Sequence, residues 1–345
     1  MNPTISVIIP VYNRLHLLGN VVESILGQTL PVTEVILIDD GSTEHTPEMV
    51  ERYIQGRPAW RERVRYHYQE NQGQSVASNV GVAMAKGEWL GFDGNDDLWL
   101  PQKLEWQFKA LEKYKGESSV CFTDAWFMNN PYMKMTLFQF AGTNYFTEAP
   151  KELKGDLGLV EDPVRLLLRH RVVWMQTVVA RTDLVRRLGG ADPKLRFSED
   201  FDFAFRLAVE TKFCYVNMPM VLIDRPPSAK RHIGAAENWK KKDFKLTMDG
   251  RRLEKQLSLT EGMAPDIRQE ARRNLRAHYS KWANWYLANR DYKKALESVT
   301  TAAKYHLDPG IAIKWLLTRV FPRLASHIVI SREQRDMRKY YGVNW

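Results

Sequence analysis

The sequence predicts an α/β fold in which a mixed, mostly parallel sheet is flanked by helices and followed by an all-helical region. Three observations support this prediction. Short apolar runs alternate with amphipathic stretches of helical period over residues 1–237, as in sheets whose strands are joined by helices. Several of these runs end directly in acidic or polar residues. From about Asn238 only the helical period remains, so we predict a helical region over residues 238–345.

The strands predicted at Ile5–Pro10 and Glu34–Asp39 are apolar runs, as expected for strands that are covered on both faces. Because they alternate with helices, most neighbouring strands are expected to be parallel. The strands cover Ile5–Pro10, Glu34–Asp39, Val64–Tyr68, Trp89–Phe92, Val120–Phe127, Val172–Ala180, Phe213–Val216 and Met220–Ile223. Residues 128–160 lack a clear period and are either a substrate-covering loop or plain surface irregularity.

The predicted helices rest on apolar spacing and on residues that begin or end helices. Asn13 is placed to cap a helix whose apolar residues run from Leu17 to Leu26. Pro101 suits the first position of a helix that continues to Lys115. Further helices are predicted from about Pro47 and over Gln74–Ala85, Thr182–Leu188 and Glu199–Glu210.

The composition is ordinary for a soluble globular protein. The 345 residues are 44% hydrophobic and 26% charged, enough for one large domain or two. Cys121 and Cys214 lie in apolar surroundings and are expected to be core residues in a reducing compartment. Neither the pattern of a signal peptide nor a run of about 18 apolar residues occurs, which favours a cytoplasmic location.

The net charge of +9 is concentrated in the C-terminal third. Residues 1–239 carry 27 basic and 30 acidic side chains, a net of −3, whereas residues 240–345 carry 23 and 11, a net of +12. This asymmetry indicates a negatively charged partner for the second part, with anionic lipid and nucleic acid as the two candidates.

Three carboxylates, Asp93, Asp96 and Asp97, directly follow the predicted strand that ends at Phe92. Bunched acids repel one another unless a cation lies among them. Carboxylate oxygens on a loop suit Mg²⁺ or Mn²⁺, which commonly bridge to substrate phosphates. The segment therefore indicates a metal held against a diphosphate, and the alternative is an acidic turn before the helix that starts near Pro101.

Four polar segments follow predicted strands or begin a helix, and in open α/β sheets the ligand crevice lies at the carboxyl ends of strands. Each segment also has a structural explanation, as a helix cap, a turn, an acidic loop or a first-turn carboxylate. The segments are Val11–Arg14, Asp39–Ser42, Asp93–Asp97 and Glu199-Asp200.

Together these segments resemble the motifs of the family 2 glycosyltransferases, inverting enzymes of the GT-A fold. The resemblance covers residues 4–230. It is carried by Ser6–Arg14, Ile38–Ser42, Asn71–Gly73, Ala77–Gly81, Asp96–Leu104, Gly189-Gly190, Ser198–Asp200 and Arg206-Leu207.

The resemblance implies a site for a nucleotide-diphospho-sugar. Asp39 is expected to bind the nucleotide base, usually uracil, and Asp96 matches the position that ligates Mn²⁺ or Mg²⁺. Asp200 matches the general-base position, with Glu199 beside it as a second catalytic candidate. The other nucleotide-binding candidates are Pro10, Val11, Tyr12, Arg14, Asp40, Gly41, Asn71, Gly73, Ser78, Asn79 and Asp93.

Further candidates are expected to contact the diphosphate or the acceptor. In the family the segment after the last strand often closes over the diphosphate, and arginine suits phosphate by its bidentate geometry. The alternative for that segment is a solvated basic loop. The candidates are Asp97, Trp99, Gln176, Arg225, Arg231 and His232.

The chain departs from the family pattern at two positions. The usual Asp-x-Asp-Asp-x-Trp has Gly94 at its first position, so either Asp93 replaces that carboxylate or the contact is lost. The usual Ala-Arg-Asn has Ser78 in place of arginine. At Asp200 two effects oppose each other, because a helix N-terminus lowers a carboxyl pKa and burial beside Glu199 raises it.

The helical region contains one predicted hairpin, Tyr279–Pro309, which resembles a single tetratricopeptide unit. An amphipathic segment follows, in which Trp315, Phe321 and other apolar residues alternate with Lys314, Arg319 and Arg323. Basic residues beside aromatic and aliphatic ones suit an anionic membrane surface, and packing onto the catalytic domain is the alternative. Nucleic acid is not expected, because no binding motif is present.

The resemblance implies transfer of a sugar from a UDP-sugar to a hydroxyl of a glycan or lipid-linked glycan in surface polysaccharide synthesis. With the membrane expectation, it favours a peripheral place on the inner face of the membrane. The alternative is a nucleotide-sugar-binding protein with little or no transfer activity that acts as an interaction partner, for which Gly94 and Ser78 argue.

Overall fold

The structure is a computed structural model that describes residues 3–129, 135–139, 153, 155–224 and 235–341, without the side chains of 15, 46, 235–241 and 333–341. It divides the chain into two units, residues 1–234 and residues 235–345. The first unit contains a nine-stranded sheet and the second is helical.

Half of the sheet is parallel. β1 (Ile5–Val11) lies between β2 (Glu34–Asp40) and β4 (Trp89–Phe92), and β3 (Val64–Gln69) pairs with β2. Every residue of β2 is buried, which explains the continuous apolar run of this strand, since helices cover both faces. The carboxyl ends of β1, β2 and β4 therefore lie at one edge, where the polar segments follow.

The other half is mixed. β8 (Val178–Arg181) pairs antiparallel with β4 and with β6 (Ser118–Met128), and β6 is parallel to β9 (Lys212–Asp224). Two short strands pair antiparallel with β9, namely β5 (Leu98–Trp99) and β7 (Leu157–Val160). The mixed, mostly parallel sheet flanked by helices confirms the predicted fold class.

Helices connect these strands in the first unit. The last of them carries Glu199 and Asp200 in its first turn, and the fifth follows the acidic loop. The helices are α1 (Leu15–Leu26), α2 (Thr46–Gly56), α3 (Pro58–Arg63), α4 (Gln74–Met84), α5 (Lys103–Lys113), α6 (Pro163–Arg169), α7 (Thr182–Arg187) and α8 (Glu199–Glu210).

Several local predictions are corrected. Asn13 does not cap α1. Its backbone is left-handed at φ 51°, and its Oδ1 accepts a hydrogen bond from Thr43 N at 2.8 Å. Residues 172–177 are not a strand; Met175–Thr177 forms a 3₁₀ turn before β8. The strands predicted at 213–216 and 220–223 are one strand, because register shifts in its pairing with β6 leave extra residues of β9 on either side of Pro219.

Four elements were not predicted: α3, α6, β5 and β7. Strands of two or four residues are too short to show a period, and β7 lies in the segment that lacked one. The signal for α6 was present in Asp162-Pro163. Asp162 Oδ1 accepts from Arg165 N at 2.8 Å, and proline occupies the first turn.

The second unit consists of α9 (Ala235–Leu259), α10 (Pro265–Ala288), α11 (Tyr292–Tyr305), α12 (Pro309–Val320) and α13 (Pro322–Tyr341). α10 and α11 form the predicted helical hairpin, with Ala283, Val299 and Ala302 buried in one cluster. Asp291 and Asp308 cap α11 and α12 through hydrogen bonds from backbone N–H groups. The likeness to a tetratricopeptide unit stays a prediction.

The amphipathic segment of α12 and α13 has two sides. Trp315 donates from Nε1 to Thr300 Oγ1 at 3.0 Å, and Lys314 donates from Nζ to Ser280 Oγ at 2.6 Å. Leu317 and Val329 pack against a second buried cluster of the hairpin. Part of the segment is therefore internal to this unit. Across the described parts of the chain, no helix is long and apolar enough to cross a membrane.

Candidate active site

A cavity of about 700 Å³ opens at the carboxyl ends of β1, β2 and β4. It brings together all four of the polar segments found in the sequence. The predicted site residues that line it are Pro10, Val11, Tyr12, Arg14, Asp40, Asn71, Gly73, Ser78, Asn79, Asp93, Asp96, Asp97, Gln176, Glu199 and Asp200.

Other predicted site residues are placed elsewhere. Asp39, Gly41 and Trp99 do not line the cavity. Arg225, Arg231 and His232 lie outside the described residues, as do Ser228 and Lys230 of the same cluster.

The two aspartates at the end of β2 organise the loops around them. Asp39 is fully buried; its Oδ1 accepts from Ser42 N at 2.8 Å and its Oδ2 from the Tyr66 hydroxyl at 2.7 Å. Asp40 accepts from Gly73 N at 2.8 Å and from Gln72 N at 2.9 Å. Asp40 thus fixes the turn that opens α4, and the contact of Asp39 with a nucleotide base stays a prediction.

Gly41 has a conformational reason to be glycine. Its φ is +78°, and a Cβ there would lie 2.8 Å from the backbone nitrogen of Asn71. The close approach lets the Asn71 amide donate from Nδ2 to Asp40 O at 2.8 Å. Gly41 therefore shapes the wall behind the cavity rather than its surface.

Asp96 is the partly exposed carboxylate of the acidic loop. Its Oδ2 lies 3.7 Å from Nη1 of Arg14, which joins the loops after β1 and β4 across the cavity. A Cβ at Gly94 would lie 3.1 Å from Asp96 Oδ1 and 3.4 Å from Asp97 Oδ2. The carboxylates of Asp96 and Asp97 thus occupy the space that a side chain at position 94 would enter.

Asp93 lines the cavity, but its side chain is almost completely buried. It is 4% exposed, and its Oδ2 has no hydrogen-bond partner among the described residues. Burial, reinforced by the neighbouring charge of Asp97, raises the pKa of Asp93 well above its usual range. Asp93 is buried whereas Asp96 is partly exposed, so the geometry favours Asp96 as the candidate ligand.

A buried lysine lies behind the loop. Lys103 is fully buried, its Nζ lies 3.5 Å from the centre of the Trp99 ring, and it donates to Gln107 Oε1 at 3.0 Å. Burial lowers the pKa of Lys103 to about 7, and the charge of Asp93 opposes that shift. Trp99 therefore supports the loop from behind and does not face the cavity.

Gln107 extends this buried network to the opposite wall. Its Nε2 donates to Cys121 O and to Thr177 O, each at 3.0 Å. Thr177 ends the 3₁₀ turn that also contains Met175 and Gln176, both of which line the cavity. Helix α5 consequently connects the acidic loop with the turn that carries Gln176.

Glu199 and Asp200 lie in the first turn of α8. Ser198 precedes them in a left-handed conformation with φ 62°, which turns the chain sharply into the helix. Burial, followed by the charge of Asp200, raises the pKa of Glu199 to about 7, although its own backbone N–H opposes the shift. Asp200 Oδ1 accepts from Phe201 N at 2.8 Å. One member of this pair is therefore poised to exchange a proton near neutral pH.

The loop before these carboxylates is held by two side chains. Asn79 donates from Nδ2 to Ala191 O at 2.8 Å and accepts at Oδ1 from Ala191 N at 2.8 Å. Arg206 donates to Leu188 O at 2.8 Å, to Gly190 O at 2.5 Å and to the buried Asp202 at 2.9 Å. The amide of Asn79 thus fixes the loop, and a direct contact with a nucleotide stays a prediction.

Sequence reasoning missed an aromatic wall of the cavity. The Trp174 ring lies 5.8 Å from Phe127 and 6.5 Å from Phe201, and Arg171 lies 4.9 Å above the Phe201 ring. No short motif announces such a wall, because its members come from three separate elements. Missed residues that line the cavity include Trp174, Met175, Phe197, Ser198, Phe201 and Phe203.

The acidic loop fits a divalent cation bound through one protein carboxylate. Among the described side chains, no group of three or more His, Cys, Asp or Glu residues could hold a metal ion. Mg²⁺ often binds through one or two carboxylates and completes its shell with water and substrate phosphates. The partly exposed carboxylate of Asp96 would suit such a cation, and its role as a ligand stays a prediction.

The mixed sheet, with the cavity at the carboxyl ends of its parallel strands, has the GT-A architecture. Residues 6–173, just under half of the chain, match the family model described as Glycosyl transferase family 2. TarS residues 1–349 of S. aureus, in complex with UDP, has a similar structure, with a TM-score of 0.66 and 16% identity. That similarity covers 98% of this chain and 93% of the TarS chain and includes the helical region.

Two further proteins are similar to this chain. The mannosyltransferase PcManGT from Pyrobaculum calidifontis, in complex with GDP-Man and Mn²⁺, has a TM-score of 0.53 and 18% identity over 100% of this chain and 89% of that one. An uncharacterized glycosyltransferase of Rickettsia typhi is 26% identical over 208 residues, which is 59% of this chain and 58% of that protein. The chain spans less than two thirds of the length of the curated relatives it matches.

Proposed function

We propose that this protein transfers a sugar from a UDP-sugar to an acceptor hydroxyl with inversion at the anomeric carbon. One observation carries the proposal. A single cavity joins the loops after β1 and β2, the carboxylate of Asp96 and the Glu199-Asp200 pair. Most of these loops lie in the segment that matches the family model.

One structural neighbour supports UDP as the nucleotide, because TarS has been crystallised with UDP and with UDP-GlcNAc. PcManGT, crystallised with GDP-Man and Mn²⁺, supports a nucleotide-sugar donor and a divalent cation in general. By analogy, the nucleotide lies along the loops after β1 and β2, near Tyr12 and Asn71. The donor sugar then lies between Asp96 and the aromatic wall, near Trp174.

Asp200 acts as the general base in this proposal. The acceptor hydroxyl oxygen forms a bond to the anomeric carbon while the bond from that carbon to the phosphate oxygen breaks. The hydroxyl proton passes to Asp200, and the electron pair of the broken bond leaves with the nucleoside diphosphate. A carboxylate within hydrogen-bond reach suffices for this step.

Asp96 and Arg14 serve the leaving group. Asp96 would hold Mn²⁺ or Mg²⁺ against the diphosphate, where the bound cation supplies Lewis-acid stabilisation of the charge that develops on phosphate oxygen. Arg14 lies beside Asp96 and brings a second positive charge to the same place. Gln176, on the opposite wall, orients the acceptor.

The acceptor in this proposal is a glycan or lipid-linked glycan of a surface polysaccharide. The aromatic wall of Trp174 and Phe201 adjoins Asp200 and offers apolar surface for a sugar ring. The basic second unit suits a place at an anionic membrane surface, where such acceptors are held.

The alternative is a nucleotide-sugar-binding protein without turnover. The ion pair of Arg14 and Asp96 is the observation that favours it, because the guanidinium lies where a cation would bind. Both side chains are partly exposed, at 47% and 30%, so the pair is weak and a divalent cation can displace it.

The test compares Asp200→Asn with the wild-type chain. Release of UDP is measured over a panel of UDP-sugars with Mn²⁺, with and without oligosaccharide acceptors. We expect Asp200→Asn to lower acceptor-dependent release by at least about 100-fold, because it removes the base. UDP binding measured by calorimetry should remain.

Asp183→Asn is the matched control, since Asp183 is 65% exposed and lies outside the cavity. It should turn over like the wild type. Normal turnover in Asp200→Asn would refute the assigned base. UDP binding without turnover on any donor and acceptor would support the binding-protein alternative.

A further inference from the structure

A stripe of exposed apolar side chains runs along α12 and α13. Of the eleven exposed large apolar side chains among the described residues, seven lie between Leu307 and Ile328. Six of these form what we call the apolar stripe: Ile313, Leu316, Val320, Phe321, Leu324 and Ile328, each between 45% and 58% exposed. Such a concentration is unusual for a surface that faces only water.

The stripe is distinct from the packed side of the same helices. Ile311 is buried against the hairpin, and Trp315 and Leu317 pack on its clusters. The stripe residues fall between these positions, at Ile313, Leu316 and Val320, the spacing of one helix face. The unit therefore completes its own core without the stripe.

The segment that carries the stripe is basic. Residues 309–332 contain four Lys or Arg side chains and one His but no Asp or Glu, which gives a net charge of +4. Arg319 and Arg323 are exposed within the stripe, and the Arg319 guanidinium lies 4.9 Å above the Trp315 ring. The partner that this charge complements is anionic.

An anionic lipid surface fits both features. It accepts apolar side chains below its headgroups and neutralises the arginines beside them. A second copy of this chain would bring the same positive charges against the stripe, and nucleic acid would leave the apolar side chains in water. Since no described helix can cross a membrane, the helices would lie in the plane of the interface.

We propose that the apolar stripe, flanked by Arg319 and Arg323, binds the surface of an anionic membrane. This extends the membrane association included in the proposed function and rests on it. The stripe shares no residue with the cavity, so membrane binding and sugar transfer can each fail without the other. The stripe holds the chain at the surface where a lipid-linked acceptor is displayed.

The test is co-flotation of the full chain with vesicles of phosphatidylcholine alone or mixed with phosphatidylglycerol. The wild type should float with the mixed vesicles and much less with phosphatidylcholine alone. The triple variant Leu316→Ser, Phe321→Ser, Leu324→Ser should lose binding by at least about tenfold, because three apolar insertions are removed. The double variant Arg319→Gln, Arg323→Gln should lose the preference for the mixed vesicles.

Leu307→Ser is the matched control, because Leu307 is 64% exposed but lies outside α12 and α13. It should float like the wild type. Circular dichroism separates folding from docking, because the substitutions lie in the helical second unit: a triple variant with the helical signal and melting temperature of the wild type is folded. Calorimetry with UDP reports on the cavity in the first unit. Failure of every form to bind UDP would count against the proposed function and leave the flotation result standing.

Three results would overturn the proposal. A wild type that does not float would do so, and so would a triple variant that floats as well as the wild type. A dimer that Phe321→Ser dissociates in light scattering, together with no flotation, would assign the stripe to self-association.

Discussion

Glu199 lies beside Asp200, the proposed base, and burial is the main cause of its raised pKa. Burial, with a smaller contribution from the charge of Asp200, raises the pKa of Glu199 to about 7. We expect kcat/KM to rise with pH through a limb near pH 7, because an ionised Glu199 places negative charge beside Asp200 and so favours proton transfer to that base.

Replacement of Glu199 by Gln tests whether this residue produces the limb. Because burial raises the pKa of Glu199 to about 7, its removal should abolish the limb near pH 7. The measurement is kcat/KM for UDP release across pH. Glu112→Gln, at a side chain that is 75% exposed, should leave the limb in place. A limb unchanged in Glu199→Gln would exclude Glu199 as the titrating group.

At the scale of elements, helix α5 supports the acidic loop through Lys103. The pKa of this lysine is lowered by burial to about 7, whereas a lysine in the unfolded chain titrates near its ordinary value of 10.5. Between these values the unfolded chain binds more protons, so stability rises with pH over that range. Below about pH 7 both states are protonated and the contribution no longer changes.

We expect Lys103→Met to remove this dependence on pH. At pH 7 the variant also leaves Gln107 Oε1 without its donor, at a cost of about 1–3 kcal/mol. The measurement is the urea midpoint of the wild type and the variant at pH 7 and at pH 9. The wild type should gain stability between these values and Lys103→Met should not.

Lys109→Met is the control on the same helix, because Lys109 is 51% exposed and pairs with Glu105 at the surface. Its midpoints should follow those of the wild type at both pH values. A parallel rise in Lys103→Met would show that other groups produce the dependence.

At the scale of the whole molecule, charge divides the two parts of the chain. The C-terminal third carries +12 and the remainder −3. Electrostatic attraction to lipid is screened over about 10 Å in 0.1 M salt, whereas apolar insertion is not weakened by salt in this way. Vesicle binding of the full chain should therefore fall as NaCl rises from about 50 mM to about 500 mM and level off above zero.

The measurement is the fraction of the full chain that floats with the mixed vesicles at each NaCl concentration. Arg319→Gln, Arg323→Gln should flatten the dependence, whereas the triple stripe variant should keep a slope but lose the residual binding. Binding by the wild type that does not change with salt would contradict an electrostatic contribution.

Much of the sheet could be predicted, because its information is local. β1, β2 and β4 are largely apolar runs, and these strands and β3 begin and end within two residues of their predictions. β5 is too short to show a period and β7 lies in a segment that lacks one, and both strands pair with β9. Asn13 was misjudged as a cap because it binds the distant Thr43 instead.

The residues of the candidate site likewise divide into those that the sequence predicts and those that it does not. Its motifs are contiguous in sequence, so Asp96, Glu199 and Asp200 could be named without a structure. Trp174 and Phe201 could not, because the aromatic wall is assembled from residues far apart in the chain. Lys103 resembles a surface lysine in sequence, and only the packing of α5 against β6 shows it to be buried.

The sequence by itself determined the α/β order, the strand-end motifs and the basic C-terminal third, since each is written in neighbouring residues. Only the tertiary structure decided which of the acids that line the cavity are exposed in it. Asp93 turns inward and Asp96 outward, because the direction of a side chain after a strand depends on what packs beneath it. The same applies to α12 and α13, where the hairpin covers Trp315 and leaves Phe321 exposed.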